Sequence, residues 1–166
     1  MERTTNGIQL NVRDEGKGEP SLLFLHYWGG SSRTWDPVVN SLKTDFRCVA
    51  YDHRGWGKSD KPETGYSVHD LAEDAEALTQ TLGLTRYVLI GHSMGGKVAQ
   101  LLAAKRPVGL EALILVAPAP PTPINVPEAQ RKQMIQAYQH REAVEFLIQN
   151  VLTAVPLPDQ IRPGPH

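Results

Sequence analysis

The chain has 166 residues, of which 40% are hydrophobic and 21% charged, values that are typical of a globular domain with a sizeable core. Its 17 basic and 18 acidic residues nearly cancel and form no basic patch, so nucleic acid is not an expected partner. The single cysteine, Cys48, excludes an intrachain disulfide and lies in the apolar run FRCVAY, where a small core residue is expected.

The N-terminal stretch MERTTNGIQLNVRDEG lacks the apolar segment of a secretory signal. No apolar run approaches the roughly 18 residues of a membrane span. A cytoplasmic location and no membrane partner are therefore the default expectation. The six histidines and the cysteine form no H-x-x-x-H pair or cysteine cluster, so a metal site is not expected.

Short apolar runs alternate with helical patterns along most of the chain. The expected strands are IQLNVRDE (8–15), SLLFLHYW (21–28), FRCVAYD (46–52), RYVLIGHS (86–93) and LEALILVAPA (110–119). Helical spacing separates the later strands, and Ser67 and Gly83 are suited to begin and end one of these helices. The first strand alternates like an antiparallel edge. The continuous run SLLFLHYW is of the kind that is buried on both faces, and LEALILVAPA is expected to be a further buried strand. The pattern predicts an α/β fold with a mostly parallel sheet between flanking helices.

The pattern changes after Ala119. The proline-rich segment PAPPTPINVP cannot form the interior of a strand or helix. Two helical segments, at about 127–140 and 141–153, follow without strands of their own. We therefore predict an N-terminal core part at residues 1–119 and a proline-rich linker with a partial helical cap at residues 120–166.

The stretch VLIGHSMGGKVAQ, residues 88–100, can be interpreted in two ways. The letters GHSMGGK match the start of a phosphate-binding loop, but Val98 stands where that loop needs Ser or Thr. Gly91, Ser93 and Gly95 match a nucleophile elbow, G-x-S-x-G, without such a defect. A nucleophile on a tight strand-to-helix turn needs small neighbours two residues away on either side. We favour the elbow, which predicts a positive φ for Ser93.

Three stretches together resemble the α/β-hydrolase family. LHYWGGSS is similar to its H-G-x-x-G oxyanion segment, YDHRGWGKSDKP to its D-x-R-G-x-G-x-S segment, and GHSMGG to its nucleophile elbow, over residues 8 to about 119. The resemblance implies Ser93 as the catalytic nucleophile. It also implies the backbone N–H groups of Trp28 and Met94 as the donors of an oxyanion hole.

The same resemblance gives structural roles to several conspicuous polar residues. His26 and His92 are expected to be packed or hydrogen-bonded, and Asp52 and Arg54 to hold their own loop together. Tyr27 stands where the family usually has glycine, which would bring an aromatic ring toward the acyl pocket.

The family's triad order is serine, then acid, then histidine. The candidates after Ala119 are Glu128, Glu142, Glu145, Asp159, His140 and His166. None of them follows a recognisable strand. We therefore expect the catalytic acid and base to be missing from this chain, which would correspond to the N-terminal half to two thirds of a hydrolase.

The sequence thus predicts a cofactor-free serine hydrolase that cleaves a small, apolar carboxylic ester or lactone through a Ser93 acyl-enzyme. Two alternatives stay open. One is a catalytically inactive truncated product, or a fragment that binds a partner through its unfinished sheet edge. The other is a perhydrolase- or haloperoxidase-like activity of the same serine.

Overall fold

The computed structural model describes residues 1–123, 125–137 and 139–147, and the chain divides into two compact units, Met1–Thr122 and Pro123–His166. The strands in the described residues are β1 (Glu2–Thr5), β2 (Ile8–Glu15), β3 (Ser21–Leu25), β4 (Cys48–Tyr51), β5 (Tyr87–His92) and β6 (Leu110–Val116). The helices are a 3-10 helix (Ser32–Trp35), α1 (Asp36–Leu42), α2 (Val68–Thr81), α3 (Met94–Ala104), α4 (Glu128–Ala137) and α5 (Arg141–Leu147).

The first unit is built around one six-stranded sheet with the order β1-β2-β4-β3-β5-β6. Strands β4, β3, β5 and β6 run parallel, and β2 pairs antiparallel with both β4 and β1. The predicted α/β class is confirmed. Strand β2 is antiparallel, as predicted, but it is not the edge of the sheet, because β1 pairs with its outer side. Strand β1 was not predicted, because the short polar segment ERTT carries no apolar alternation.

Alternate residues of the central strands enter two cores on opposite faces of the sheet. Leu23, Leu25, Val49 and Leu89 pack with the apolar stripes of α2 and α3. Their sequence neighbours, such as Phe24, pack with the segment that contains the 3-10 helix and α1. Helices therefore cover both faces, as predicted, and Cys48 is a buried core residue.

The boundaries of α2 follow directly from its sequence. Ser67 forms a capping box, in which its hydroxyl accepts from the Asp70 N–H and the Asp70 carboxylate accepts from the Ser67 N–H. Gly83, just beyond the helix, has a φ of 61°, which glycine adopts without steric cost. Both predicted signals are confirmed.

The prediction that the last strand is buried is wrong. Within the described residues β6 is an end strand that pairs with β5, and Ile114, Leu115 and Val116 are 49%, 37% and 41% exposed. An apolar run indicates what a strand is suited to contact. Burial depends on neighbouring elements, and the described residues give β6 a strand on one side only.

The second unit contains α4 and α5, which lie within the two predicted helical segments. Ion pairs between residues four apart, Glu128–Lys132 and Arg141–Glu145, lie along their surfaces. Residues 148–153 of the predicted second helix lie outside the described residues, as do Asp159 and His166. None of the described helices is both long and apolar enough to cross a membrane.

Candidate active site

Ser93 lies at the turn between β5 and α3 with a φ of 51° and a ψ of −112°. The predicted positive φ is confirmed. The Ser93 N–H donates to the Val116 carbonyl at 3.1 Å, and the Ser93 carbonyl accepts from the N–H of Lys97 at 3.1 Å and of Ala119 at 2.9 Å. The Ser93 hydroxyl makes no capping bond to α3. The backbone is thus held at three points, while the side chain is left out of the helix end.

The glycines around Ser93 are required by close backbone approach. A Cβ atom on Gly91 would lie 2.5 Å from the Gly95 carbonyl oxygen. A Cβ on Gly95 would overlap the Leu25 carbonyl oxygen and lie 2.6 Å from that of His26. Real Cβ atoms do not approach backbone this closely, so β3, β5 and α3 can meet here only through glycine.

The phosphate-loop interpretation receives no support from the side chains around the turn. The Lys97 ammonium donates to the Thr122 carbonyl oxygen at 2.9 Å. Val98, which stands where Mg²⁺ coordination would need a hydroxyl, is fully buried in the core.

The segment after β3 forms a tight turn, in which the Gly30 N–H donates to the Tyr27 carbonyl at 3.0 Å. Trp28 and Met94 line the same open cavity of about 440 Å³. The Tyr27 ring packs edge-on against His92, with 5.1 Å between ring centroids. Tyr27 is not among the residues that line this cavity, so the expected approach of its ring to a pocket is not seen there.

His26 is fully buried and uses both ring nitrogens. Its Nε2 lies 3.0 Å from the His53 backbone nitrogen, and its Nδ1 lies 2.7 Å from the Tyr27 carbonyl oxygen. Because the His53 N–H can only donate, Nε2 is the acceptor and Nδ1 carries the proton. Burial lowers the pKa of His26 and favours this neutral form. The ring therefore ties the segment after β3 to the segment after β4.

The other two histidines beside the sheet are also enclosed. The His53 side chain is fully buried, and neither ring nitrogen has a partner among the described residues. Burial and the neighbouring His26 hold the pKa of His53 well below its ordinary value. His92 packs against Tyr27 and, at 6.3 Å between centroids, against Trp35, and burial lowers its pKa. The expectation that His26 and His92 are packed or hydrogen-bonded is confirmed.

Asp52 is a buried clamp for three segments. One carboxylate oxygen accepts from the Ser32 N–H at 2.7 Å, and the other accepts from the Asn11 amide and the Lys58 N–H, each at 2.9 Å. Burial alone would raise the pKa of Asp52, but these hydrogen bonds outweigh it and lower the pKa. The expected loop-holding role is confirmed.

Arg54 completes this loop through a partner that the sequence pattern did not predict. Its guanidinium forms a two-point ion pair with Asp74 at 2.6 and 2.5 Å, and its Nη1 donates to the Gly65 carbonyl at 2.9 Å. Asp74 is fully buried and also accepts from the Asn6 amide. The available signal was a carboxylate inside the apolar stripe of α2, because a buried acid requires a partner.

The described residues contain no group of three or more His, Cys, Asp or Glu side chains that could hold a metal ion. The hydrogen bonds of His26 and Asp52 hold the loops after β3 and β4 in place. Ser93 takes part in neither of these two networks.

Comparison with known proteins agrees with this geometry. A profile of the alpha/beta hydrolase fold matches residues 20–147. The 2-(acetamidomethylene)succinate hydrolase of Mesorhizobium japonicum is 39% identical over 109 residues, which are 66% of this chain and 39% of that protein.

Two solved structures share the fold. An esterase from Exiguobacterium antarcticum matches with a TM-score of 0.82 and 28% identity, over 93% of this chain and 61% of its own. The enol-lactonase from Burkholderia xenovorans matches with a TM-score of 0.78 and 28% identity, over 89% of this chain and 58% of its own. The chain therefore spans less than two thirds of each of these three proteins. Because the profile covers most of the sequence and the sheet has the same architecture, the chain belongs to the alpha/beta hydrolase fold family.

Proposed function

We propose that the chain carries the nucleophile of a serine hydrolase that cleaves a small, apolar carboxylic ester or lactone. The conformation of Ser93 is the observation that carries this proposal. A non-glycine residue with a φ of 51° costs about 1–3 kcal/mol and persists only where its surroundings impose it. Here Gly91 and Gly95 permit the close approach of the backbone that this turn requires, and three backbone hydrogen bonds hold it. The partly buried Ser93 hydroxyl makes no capping bond to α3.

In the proposed reaction, Ser93 Oγ attacks the acyl carbon of the substrate, and the electron pair of the carbonyl double bond moves to its oxygen. The N–H groups of Met94, the first residue of α3, and Trp28 donate to this oxyanion, and each donor contributes roughly 3 kcal/mol. The alcohol then leaves with the proton that a base took from Ser93. Water attacks the acyl-enzyme in a second step and releases the acid.

The base and its acid partner are proposed to lie outside residues 1–123. The ring nitrogens of His26 are both engaged, His53 is enclosed, and the His92 ring packs against Tyr27 and Trp35. The carboxylates of Asp52 and Asp74 are occupied by their own loop contacts. Without a positioned base, we expect this chain to retain only residual activity.

The esterase and the enol-lactonase among its structural neighbours support an ester or lactone as the substrate class. The apolar character is supported by the cavity that Trp28 and Met94 share. A perhydrolase-like reaction would use the same serine, and it is distinguished by testing whether peroxide intercepts the acyl-enzyme.

The test is covalent labelling with a fluorophosphonate, measured by intact-mass spectrometry with imidazole added as an exogenous base. The wild-type chain and Ser41→Ala, which removes an exposed serine of α1, should gain one adduct at a rate that rises with imidazole concentration. Ser93→Ala should gain none. Equal labelling of Ser93→Ala and wild type would overturn Ser93 as the nucleophile. Rapid ester hydrolysis without imidazole, abolished in Ser93→Ala, would show instead that this chain holds its own base.

A second candidate function, binding of a partner, is favoured by β6. Its side chains Ile114, Leu115 and Val116 are exposed, and an end strand offers backbone groups that can pair with another strand. This candidate predicts self-association or partner binding in sedimentation velocity that Ile114→Lys abolishes. Val108→Lys, which adds the same charge at a fully exposed position just before β6, should leave the association intact.

A further inference from the structure

The cavity beside Ser93 combines an apolar wall with one cationic side chain. Its volume is about 440 Å³, and its wall includes Trp28, Trp56, Tyr66 and Val68. The charged residue of its lining is Lys61, and no acidic residue contributes to it. An anionic group that enters this cavity would therefore meet a counter-ion and no opposing carboxylate.

Lys61 has hydrogen-bonding capacity to spare. Its ammonium donates to the Gly57 carbonyl oxygen at 3.1 Å. An ammonium carries three N–H donors, so two remain available. Lys61 forms no ion pair with any acid of the described residues. The hydrogen bond to the Gly57 carbonyl leaves the charge of this exposed side chain unneutralised.

Several other polar groups of the lining are already engaged. The Tyr66 hydroxyl donates to the Pro62 carbonyl. The backbone N–H of Gly55 donates to the Asp60 carbonyl oxygen at 2.8 Å, and that of Trp56 donates to the His53 carbonyl oxygen at 3.0 Å. These groups hold the loop after β4 in shape. The Lys61 ammonium is therefore the group best placed to bind a charged ligand.

We propose that this cavity is a subsite for a carboxylate on the substrate, with Lys61 as its counter-ion and the aromatic side chains against its carbon skeleton. The inference rests on the proposed function, because it names the substrate class of the same site: an ester or lactone that also bears a free carboxylate. The link to Ser93 is direct, since Met94 follows it in the chain and lines the cavity.

The test compares two isosteric probes, phenylacetate and phenylacetamide, which differ in charge. Binding to the full chain is followed by tryptophan fluorescence. Two of its three tryptophans, Trp28 and Trp56, line the cavity, while Trp35 is buried in the core on the other face of the sheet. Wild type should bind phenylacetate about five-fold more tightly than phenylacetamide, as expected for a partly exposed charge pair. Added salt should reduce this preference.

Variants then assign the preference to one side chain. Lys61→Met should abolish it and Lys61→Arg should retain it. Lys58→Met, which removes an exposed lysine from the same loop without touching the cavity lining, should behave as wild type. A urea titration of each variant checks that the fold is unchanged.

Equal binding of the two probes to wild type, binding of neither, or a preference that survives Lys61→Met would overturn the subsite. The two proposals fail separately. A probe preference that persists in Ser93→Ala, together with no labelling of wild type, would remove the nucleophile and leave the subsite. Labelling of Ser93 without a probe preference would support the nucleophile and overturn the subsite.

Discussion

The turn after β5 (residues 91–95, the elbow) and the loop after β4 (residues 52–67, the β4–α2 loop) are both rich in glycine, yet they use their side chains in opposite ways. In the β4–α2 loop, the side chains of Asp52 and Arg54 are saturated with hydrogen bonds and hold the backbone. In the elbow, close packing and backbone bonds hold one side chain, Ser93, clear of the helix. The β4–α2 loop therefore has a structural role, whereas the elbow leaves a side chain that is suited to chemistry.

The structural role of the β4–α2 loop is tested most directly by removing Asp74, the buried acid that pairs with Arg54. Asp74→Asn leaves the Arg54 guanidinium buried without a countercharge, and we expect the free energy of unfolding to fall by about 3–5 kcal/mol. The control is Glu76→Gln on the same helix, which breaks a half-exposed pair with Lys105 and should cost less than about 1 kcal/mol. Urea denaturation measures both. Equal losses would contradict a special role for the buried pair.

The stability of the elbow should depend on close backbone packing rather than on charged side chains. Gly95→Ala introduces a Cβ that overlaps the Leu25 carbonyl, and we expect it to lower the free energy of unfolding by about 2–3 kcal/mol and to slow labelling of Ser93. Gly7→Ala adds a Cβ in open space at a φ of 75°, so it measures conformational strain alone and should cost about 1 kcal/mol. A Gly95→Ala chain as stable as Gly7→Ala would contradict the close approach.

The buried imidazole of His53, in the β4–α2 loop, should make the stability of the folded chain depend on pH. The pKa of His53 is lowered in the folded state, so the unfolded chain binds more protons below an ordinary histidine pKa of about 6.5. Stability is therefore present above that pH and is lost as the pH falls. Between about pH 7.5 and 5.5, wild type should lose roughly 1 kcal/mol more than His53→Leu. Urea denaturation at each pH measures the loss, and an equal loss in wild type and His53→Leu would contradict the lowered pKa of His53.

The smallest expected effect concerns backbone strain at Ser93. Ser93→Gly removes a side chain at a φ of 51°, and relief of strain should outweigh the added freedom of the unfolded chain by about 0.5 kcal/mol. Ser31→Gly, at an extended φ of −152°, has no strain to relieve and should be destabilised. If both variants lose stability equally, the elbow holds no strain.

Features that depend on neighbours in sequence could be predicted, and features that depend on neighbours in space could not. The positive φ of Ser93 and the capping by Ser67 follow from local residue patterns. The exposure of β6 and the pairing of Arg54 with Asp74 depend on elements that are distant along the chain. The Lys61 cavity was missed for the same reason, because α2, the β4–α2 loop and the elbow all contribute to it.

The hydrogen bonds from Ser93 to Val116 and from Ala119 to Ser93 set an order of events during synthesis. A nascent chain that has emerged only as far as α3 contains the whole G-x-S-x-G sequence but lacks both downstream partners. The strained serine then has little to hold it, and its turn is free to relax. The elbow has its full set of backbone hydrogen bonds only after residues 116–119 leave the ribosome, so the conformation of Ser93 is completed by a segment translated more than twenty residues later.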